Sequence, residues 1–442
     1  MPSARLTIDS IAAGGDGVGR AEGLVVFVPR TAPGDVALVD WSASGRFGRG
    51  RVRTLESESP FRVLPPCEHY AREKCGGCQL QHMTYAAQLD AKGAIVRDAL
   101  ERIGKRPVAQ PPVRPSADQW RYRRKLTLAM RRRGDSWIAG LHPYDAPGRV
   151  FDLHDCPITH ESVLASWREV MMAADDLPRA PELRGAVRLS EGGTSFMLEG
   201  GARWPRAERF FERAPSLRAL WWVREGAERA ELLARRAAAP AAGGGAGATE
   251  PADEPLPADD GDDDAGAPGA SFEQINAAVA AELRDYVLQR VAAHSPRSVV
   301  DAYSGLGELA LALASSELRV TAIELDTAAA AWCGKLLPAE SRSIAARVED
   351  ALPSALPADV VLLNPPRGGV DGRVTSELQD GAASTSAIIY VSCNPATLAR
   401  DAAVLVHTQG YTLKAAGVMN MFPQTSHVES LAVFERRPGD RR

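Results

Sequence analysis

The residues with the clearest capacity for chemistry are Ser392-Cys393-Asn394-Pro395. They end the apolar run Ile388-Ile389-Tyr390-Val391, because proline cannot continue a strand ladder. The carboxyl end of a strand in an open α/β sheet is where such folds bind ligands. A lone cysteine is more often a small buried hydrophobe. Three further stretches shift the balance toward a reactive thiol: Asp301-Ala302-Tyr303-Ser304-Gly305-Leu306-Gly307, Asn364-Pro365-Pro366-Arg367, and Phe422-Pro423-Gln424-Thr425-Ser426-His427-Val428-Glu429.

The first of these reads as a strand, a Gly-x-Gly turn and a helix, which alone is a weak signal. Glu324 makes it specific, since an acidic residue ending the next strand can accept hydrogen bonds from ribose hydroxyls. No third glycine marks a pyrophosphate seat, so S-adenosylmethionine is favoured over a nicotinamide dinucleotide. Asp350, near the third strand, is positioned to meet the adenine. Asn364-Pro365-Pro366 admits an adenine amino-methyltransferase, but Arg367 follows where that chemistry wants an aromatic ring to stack on the base. Cys393 offers another route. C5 of a pyrimidine is a poor nucleophile until a thiolate adds to C6 and makes C5 enolate-like. After methyl transfer the C5 proton must leave to a base. Glu429 is the candidate and His427 its rival.

A second set of thiols is Cys67, Cys75 and Cys78, with Cys156 far along the chain. Three close thiolates and a distant fourth can hold zinc or an iron–sulfur cluster. A zinc ribbon supplies two Cys-x2-Cys pairs, and the second pair is missing here, so the spacing leans toward a cluster.

These residues need several elements to hold them. A chain of 442 residues is too long for one ordinary core and predicts two or three domains. No run of about 18 apolar residues reads as a membrane span, and Met1-Pro2-Ser3-Ala4-Arg5-Leu6 lacks an apolar signal core. A cytoplasmic protein is expected, and in a reducing compartment clustered cysteines suggest metal or catalysis. The net charge is −4, but residues 237–270 hold eight acidic side chains and no basic one, so the remainder is basic on balance. That permits an RNA partner.

In chain order, residues 1–58 predict a small β barrel, with a strand at Leu24–Val28 and the cations Arg46, Arg49, Arg51 and Arg53 near one another. Residues 59–236 form a central region. Thr84 opens a helix whose stripe Ala86, Leu89, Gly93, Val96, Leu100 and Ile103 predicts core packing, and Gly104 ends it. Trp120–Arg133 is dense in cations and predicts phosphate contact from a strand. Residues 237–270, rich in Ala, Gly, Pro and Asp, predict a disordered acidic insert. Residues 271–442 alternate strand and helix, the pattern of a parallel sheet.

With these motifs assembled, the chain resembles the RNA uracil-C5 methyltransferase family, the makers of 5-methyluridine, and within it the iron–sulfur branch that modifies 23S rRNA. The likeness runs nearly end to end. It implies a multidomain α/β protein: a TRAM-like (OB-like) barrel over residues 3–56, a mixed central domain with an iron–sulfur loop, and a C-terminal Rossmann-like S-adenosylmethionine methyltransferase. It implies a [4Fe–4S] cluster on Cys67, Cys75, Cys78 and Cys156. It implies donor contacts at Gln274, Tyr303, Glu308, Glu324, Asp350 and Asn364, with Cys393 as nucleophile and Glu429 as base. Gln274 stands in Ser271-Phe272-Glu273-Gln274-Ile275-Asn276, which is similar to the segment opening the family's catalytic domain. Asn364 replaces the family's usual Asp, and Glu308 a usual Asn. The expected partner is RNA, 23S rRNA above others, and the expected state a monomer. The alternatives are a tRNA uridine-C5 methyltransferase and a catalytically silent cluster-bearing RNA-binding or assembly protein.

Overall fold

Three β-sheets are the frame of this protein. Their arrangement is seen in a computed structural model. The structure describes residues 2–190, 192–236, 274–314, 318–380, 385–407 and 410–437. The acidic stretch 237–270, for which disorder is expected, lies outside the described residues.

The first sheet contains β1 (Ser3–Thr7), β2 (Ser10–Ile11), β3 (Gly17–Ala21), β4 (Leu24–Val28), β5 (Val36–Ser44) and β6 (Phe47–Ser57), in the order β1-β5-β6-β4-β3-β2. Alternate residues Val26, Val28, Val39 and Trp41 point into its core, as a period of two requires. The other phase of β6 leaves Arg49, Arg51 and Arg53 exposed side by side.

The cysteine-bearing segment follows, with the short helix α1 (Glu68–Arg72) and then α2 (Tyr85–Arg102). Thr84 caps α2, its hydroxyl accepting from Ala87 N–H at 3.4 Å. The stripe expected from the sequence is buried at Gly93, Val96 and Leu100 but not at its ends. Ala86 and Ile103 are exposed, whereas Gln88 and Lys92 turn inward beside Ala91, Ile95, Val96 and Leu100. The helix packs with β7 (Val113–Arg114) on the C-terminal half of the chain, sharing a core with Ile388, Tyr390 and Leu398.

The second sheet runs β10-β9-β8-β11-β12-β13-β14. Its strands are β8 (Lys125–Arg133), β9 (Ser136–Leu141), β10 (Phe151–Asp152), β11 (Glu182–Ser190), β12 (Gly193–Glu199), β13 (Leu217–Val223) and β14 (Glu231–Arg235), covered by α3 (Glu161–Met172) and α4 (Ala207–Glu212). Its core holds Cys67, Cys78 and Cys156 together with Tyr122 and Trp167.

The third sheet carries the candidate chemistry. After α5 (Ala277–Ala292) come β15 (Ser298–Ala302), α6 (Glu308–Ala314), β16 (Arg319–Glu324), α7 (Thr327–Leu336), β17 (Arg342–Ala345), α8 (Val348–Ala355), β18 (Val360–Leu363), α9 (Gly372–Asp380), β19 (Ala387–Ser392), α10 (Pro395–His407), β20 (Tyr411–Met419) and β21 (Glu429–Arg436). The order is β17-β16-β15-β18-β19-β21-β20-β7. Strands β15 to β19 are mutually parallel, as the alternating pattern predicts. Strand β21 then enters antiparallel to β19. The strand order reverses about β15, so a crevice opens beyond its carboxyl end. Among the described residues no helix is long and apolar enough to cross a membrane.

Candidate active site

Strand β19 is buried along its whole length, which explains its unbroken apolar run. Where it ends, Cys393 emerges half-buried. Asn394 fixes the turn: its Oδ1 accepts from Ala396 N–H at 3.1 Å, capping α10, and its Nδ2 donates to the Arg367 carbonyl at 2.9 Å. Pro395 opens α10, where its missing N–H costs nothing.

Strand β21 returns to the same edge. Ser392 pairs with Ser430, and Ser430 Oγ donates to the Ser392 carbonyl at 2.9 Å. One step beyond that pair, Cys393 and Glu429 stand at the facing ends of two hydrogen-bonded strands. Glu429 is only 3% exposed. Burial pushes its carboxyl up to about 8. Burial also raises the Cys393 thiol, the charge of Glu429 adds to that, and the Arg367 guanidinium pulls it back. Arg367 therefore stands close to the thiol, on the loop that Asn394 holds. His427 is exposed, its ring edge-on to Phe422 with centroids 5.6 Å apart. Desolvation and the cations Arg367, Arg123 and Lys92 hold its imidazole below the ordinary value.

The other predicted site residues fall along this edge with different attachments. Tyr303 follows β15 in a left-handed conformation, φ 64°. Gly305 comes next, φ 57°, and a Cβ there would meet open space. Its N–H donates to Glu324 Oε2 at 2.9 Å, and Asp326 N–H donates to Oε1 at 2.8 Å. The Glu324 carboxylate is thus fixed beside the glycine turn. Ser304 Oγ is buried there with no partner. Asn364 ends β18, its N–H donating to the Ala302 carbonyl at 3.3 Å. Open space over a glycine, a fixed carboxylate and an orphaned hydroxyl at a topological switch point fit a nucleoside-bearing ligand such as S-adenosylmethionine. Gln274 is half-buried and lies two residues before Asn276, which donates to Ser116 Oγ at 3.0 Å and to the Met421 carbonyl at 3.4 Å. Two residues are less directly engaged. Glu308 accepts from Arg284 at 2.9 Å, and Asp350 is exposed and accepts from Arg373 at 2.8 Å.

The cysteines Cys67, Cys75, Cys78 and Cys156 are all buried and free of disulfides. The last three raise or are raised by one another's charge, and Cys67 feels Cys156, so the four sulfurs share one neighbourhood. Among the described residues, no group of three or more His, Cys, Asp or Glu side chains is arranged to hold a metal ion. Arg121, in the stretch expected to contact phosphate, donates to Asp155 and to the Cys156 carbonyl, at 2.9 and 3.0 Å. Of its neighbours, Arg131 pairs with Glu182, and Arg132 lies over the Trp137 ring at 5.6 Å. Cations do line a cavity of about 450 Å³ between the first sheet and the turn at Tyr144 and Asp145, where Arg49 and Arg51 meet Phe27 and Tyr144.

Sequence reasoning missed the side chains that hold the loop before Glu429. Gln79, Gln88, Lys92 and Tyr122 all bond to residues 420–426. The signal available was two polar residues, Gln88 and Lys92, one turn apart on the helix.

The chain is similar to known proteins. A family model described as tRNA (Uracil-5-)-methyltransferase matches residues 339–437. The 23S rRNA (uracil(1939)-C(5))-methyltransferase RlmD of Azoarcus sp. (strain BH72) is 32% identical, with 99% of this chain and 100% of that one aligned. The enzyme of the same name from Methylococcus capsulatus is 33% identical over 97% of this chain and 96% of its own. Among solved structures, the Pyrococcus abyssi tRNA (uracil-54, C5)-methyltransferase in complex with S-adenosyl-L-homocysteine superposes with a TM-score of 0.69. It covers 97% of this chain and 99% of that one at 22% identity, a likeness of fold.

The buried carboxyl gives a stability test. Folding favours protonated Glu429, whose pKa rises from 4.5 to about 8. That contribution is fully present below pH about 4.5 and is lost as pH rises through about 8. Glu429→Gln removes the loss. The variant is expected to match the wild type in thermal stability at pH 5 and to exceed it at pH 9 by a few degrees. Equal stability at both pH values would show that the carboxyl is not desolvated.

Proposed function

The chain belongs to the RNA uracil-C5 methyltransferase family, and from that premise we propose that it methylates C5 of a uridine in 23S rRNA through a covalent bond between Cys393 and C6. The observation that carries this reading is the pairing of β19 with β21, which sets Cys393 and Glu429 at facing strand ends. A nucleophile for C6 and a base for the C5 proton must stand on the same small ring, and adjacent strand ends meet that demand.

S-adenosylmethionine supplies an electrophilic methyl group on a sulfonium. Tyr303, Gly305, Glu324 and Asn364 would hold it, with Gln274 at the rim. The Cys393 thiolate attacks C6, and negative charge moves to C5 and the O4 carbonyl, where Arg367 offers a cation. Once C5 carries the methyl group, ionised Glu429 takes the C5 proton. The electrons of that C–H bond re-form the C5–C6 double bond and expel the thiolate. Burial raises the Glu429 carboxyl to about 8, so it must lose its proton before it can act as the base.

Residues 1–58 are assigned as the TRAM-like barrel, 59–236 as the cluster and RNA region, and 271–442 as the methyltransferase domain. Exposed arginines on β6 and the cation-lined cavity beside them support contact with a single-stranded RNA segment. The 23S rRNA target rests on full-length relatives of that specificity. A cytoplasmic monomer suits a substrate made and assembled in the cytoplasm.

In cells lacking this gene, one 5-methyluridine should vanish from 23S rRNA. It should return with the wild-type chain and not with Cys393→Ala. Loss of 5-methyluridine from tRNA alone would move the substrate assignment to tRNA. Anaerobically purified protein is expected to be brown and to hold about four irons per chain. Stoichiometric zinc without iron would refute the cluster.

A further inference from the structure

Helix α2 buries two polar side chains one turn apart, Gln88 at 1% and Lys92 at 0% exposure. Both reach a single loop more than three hundred residues away in sequence. Gln88 Nε2 donates to Gln424 Oε1 at 2.9 Å, and Gln88 Oε1 accepts from Gln424 N–H at 3.0 Å. Lys92 Nζ donates to Asn420 Oδ1 at 2.6 Å and to the Phe422 carbonyl at 2.8 Å. Among the described residues no carboxylate pairs with this ammonium; burial alone lowers its pKa, to about 7. The neutral amine keeps two N–H donors, so both bonds survive deprotonation.

Burying an unpaired ammonium costs several kcal/mol, and an aliphatic residue among Ala91, Ile95 and Val96 would pack without that cost. The arrangement is poor as a stability device and good as a positional one. Its bonds fix the loop at residues 420, 422 and 424. Gln79 Oε1 adds a hold at 426, accepting from Ser426 N–H at 3.1 Å. The next buried polar residue is Glu429. Cys393 stands on the opposite strand and takes none of its position from these contacts.

We propose that Lys92 and Gln88 are positioning residues that set the Glu429 carboxylate for removal of the C5 proton, and so act on the second half of the reaction only. This rests on the reading of Glu429 as the base. The distinguishing consequence is where the reaction stops. A variant that merely loosened the fold would lose adduct formation and turnover together. Loss of the latch leaves attack by Cys393 and methyl transfer intact but slows collapse of the adduct.

The test uses the full chain, an in vitro transcript of 23S rRNA and methyl-labelled S-adenosylmethionine, with Lys92→Met, Gln88→Leu and Glu429→Gln compared to the wild type. Both latch variants are expected to lose at least about tenfold in turnover, a shift of about 1.4 kcal/mol. Both should accumulate a denaturation-resistant protein–RNA band carrying the label, as Glu429→Gln does. Wild-type turnover in both folded variants, or parallel loss of adduct and turnover in both, would overturn the proposal while Glu429→Gln still accumulates the band. If one variant fails to fold, the other decides. Wild-type turnover in Glu429→Gln, or no band from it, would instead remove the base assignment itself.

Discussion

The antiparallel pairing of β21 with β19 is the constraint on which the site depends. Parallel strands bring their carboxyl ends to one edge, and β15, β16, β18 and β19 do so with Tyr303, Glu324, Asn364 and Cys393. A parallel strand would deliver its amino end to the far edge. Only a strand entering in the opposite sense can begin at the ligand edge, and β21 begins there with Glu429. Nucleophile and base thus come from two strands of opposite direction, joined by ladder hydrogen bonds.

The approach to β21 is less regular and more costly to hold. Residues 420–428 form no ladder of their own. Their polar backbone is satisfied by side chains and backbone from elsewhere: Leu80 N–H to the Gln424 carbonyl at 3.0 Å, Tyr122 Oη to the Pro423 carbonyl at 2.8 Å, and the contacts of Gln88 and Lys92. Leu80 lies two residues past Cys78, so the cysteine-bearing segment is hydrogen-bonded to the loop that leads to Glu429. Arg30 ties the first sheet to the same segment, donating to the Cys75 carbonyl at 3.0 Å and lying 3.8 Å over the Tyr70 ring. Three sheets distant in sequence meet at this loop.

Much of the third sheet was legible because its signals are local. The run 388–391, the Pro395 stop and the glycine turn after β15 each carry a backbone rule that needs no distant partner. The convergence of Cys393 with Glu429 was legible only as an expectation that residues 423–429 return to the ligand edge; the register that brings it about is non-local. The buried face of α2 was legible at Gly93, Val96 and Leu100 but not at Gln88 and Lys92, because apolar periodicity cannot reveal polar residues buried against a loop 300 positions away. The cations of Trp120–Arg133 were read for phosphate contact, and the acidic partners of Arg121 and Arg131 are brought near only by the fold. Resemblance carried the ligand roles of Glu308 and Asp350; in the structure each carboxylate accepts from a nearby arginine.

The central claim is that a uridine loses its C5 proton in exchange for a methyl group. Release of tritium into water from RNA labelled at C5 of uridine measures that exchange directly. With S-adenosylmethionine present, one tritium is expected in solvent for each methyl group transferred, and none with Cys393→Ala. Methyl transfer to RNA with the C5 label retained would contradict the account and move the chemistry to another atom.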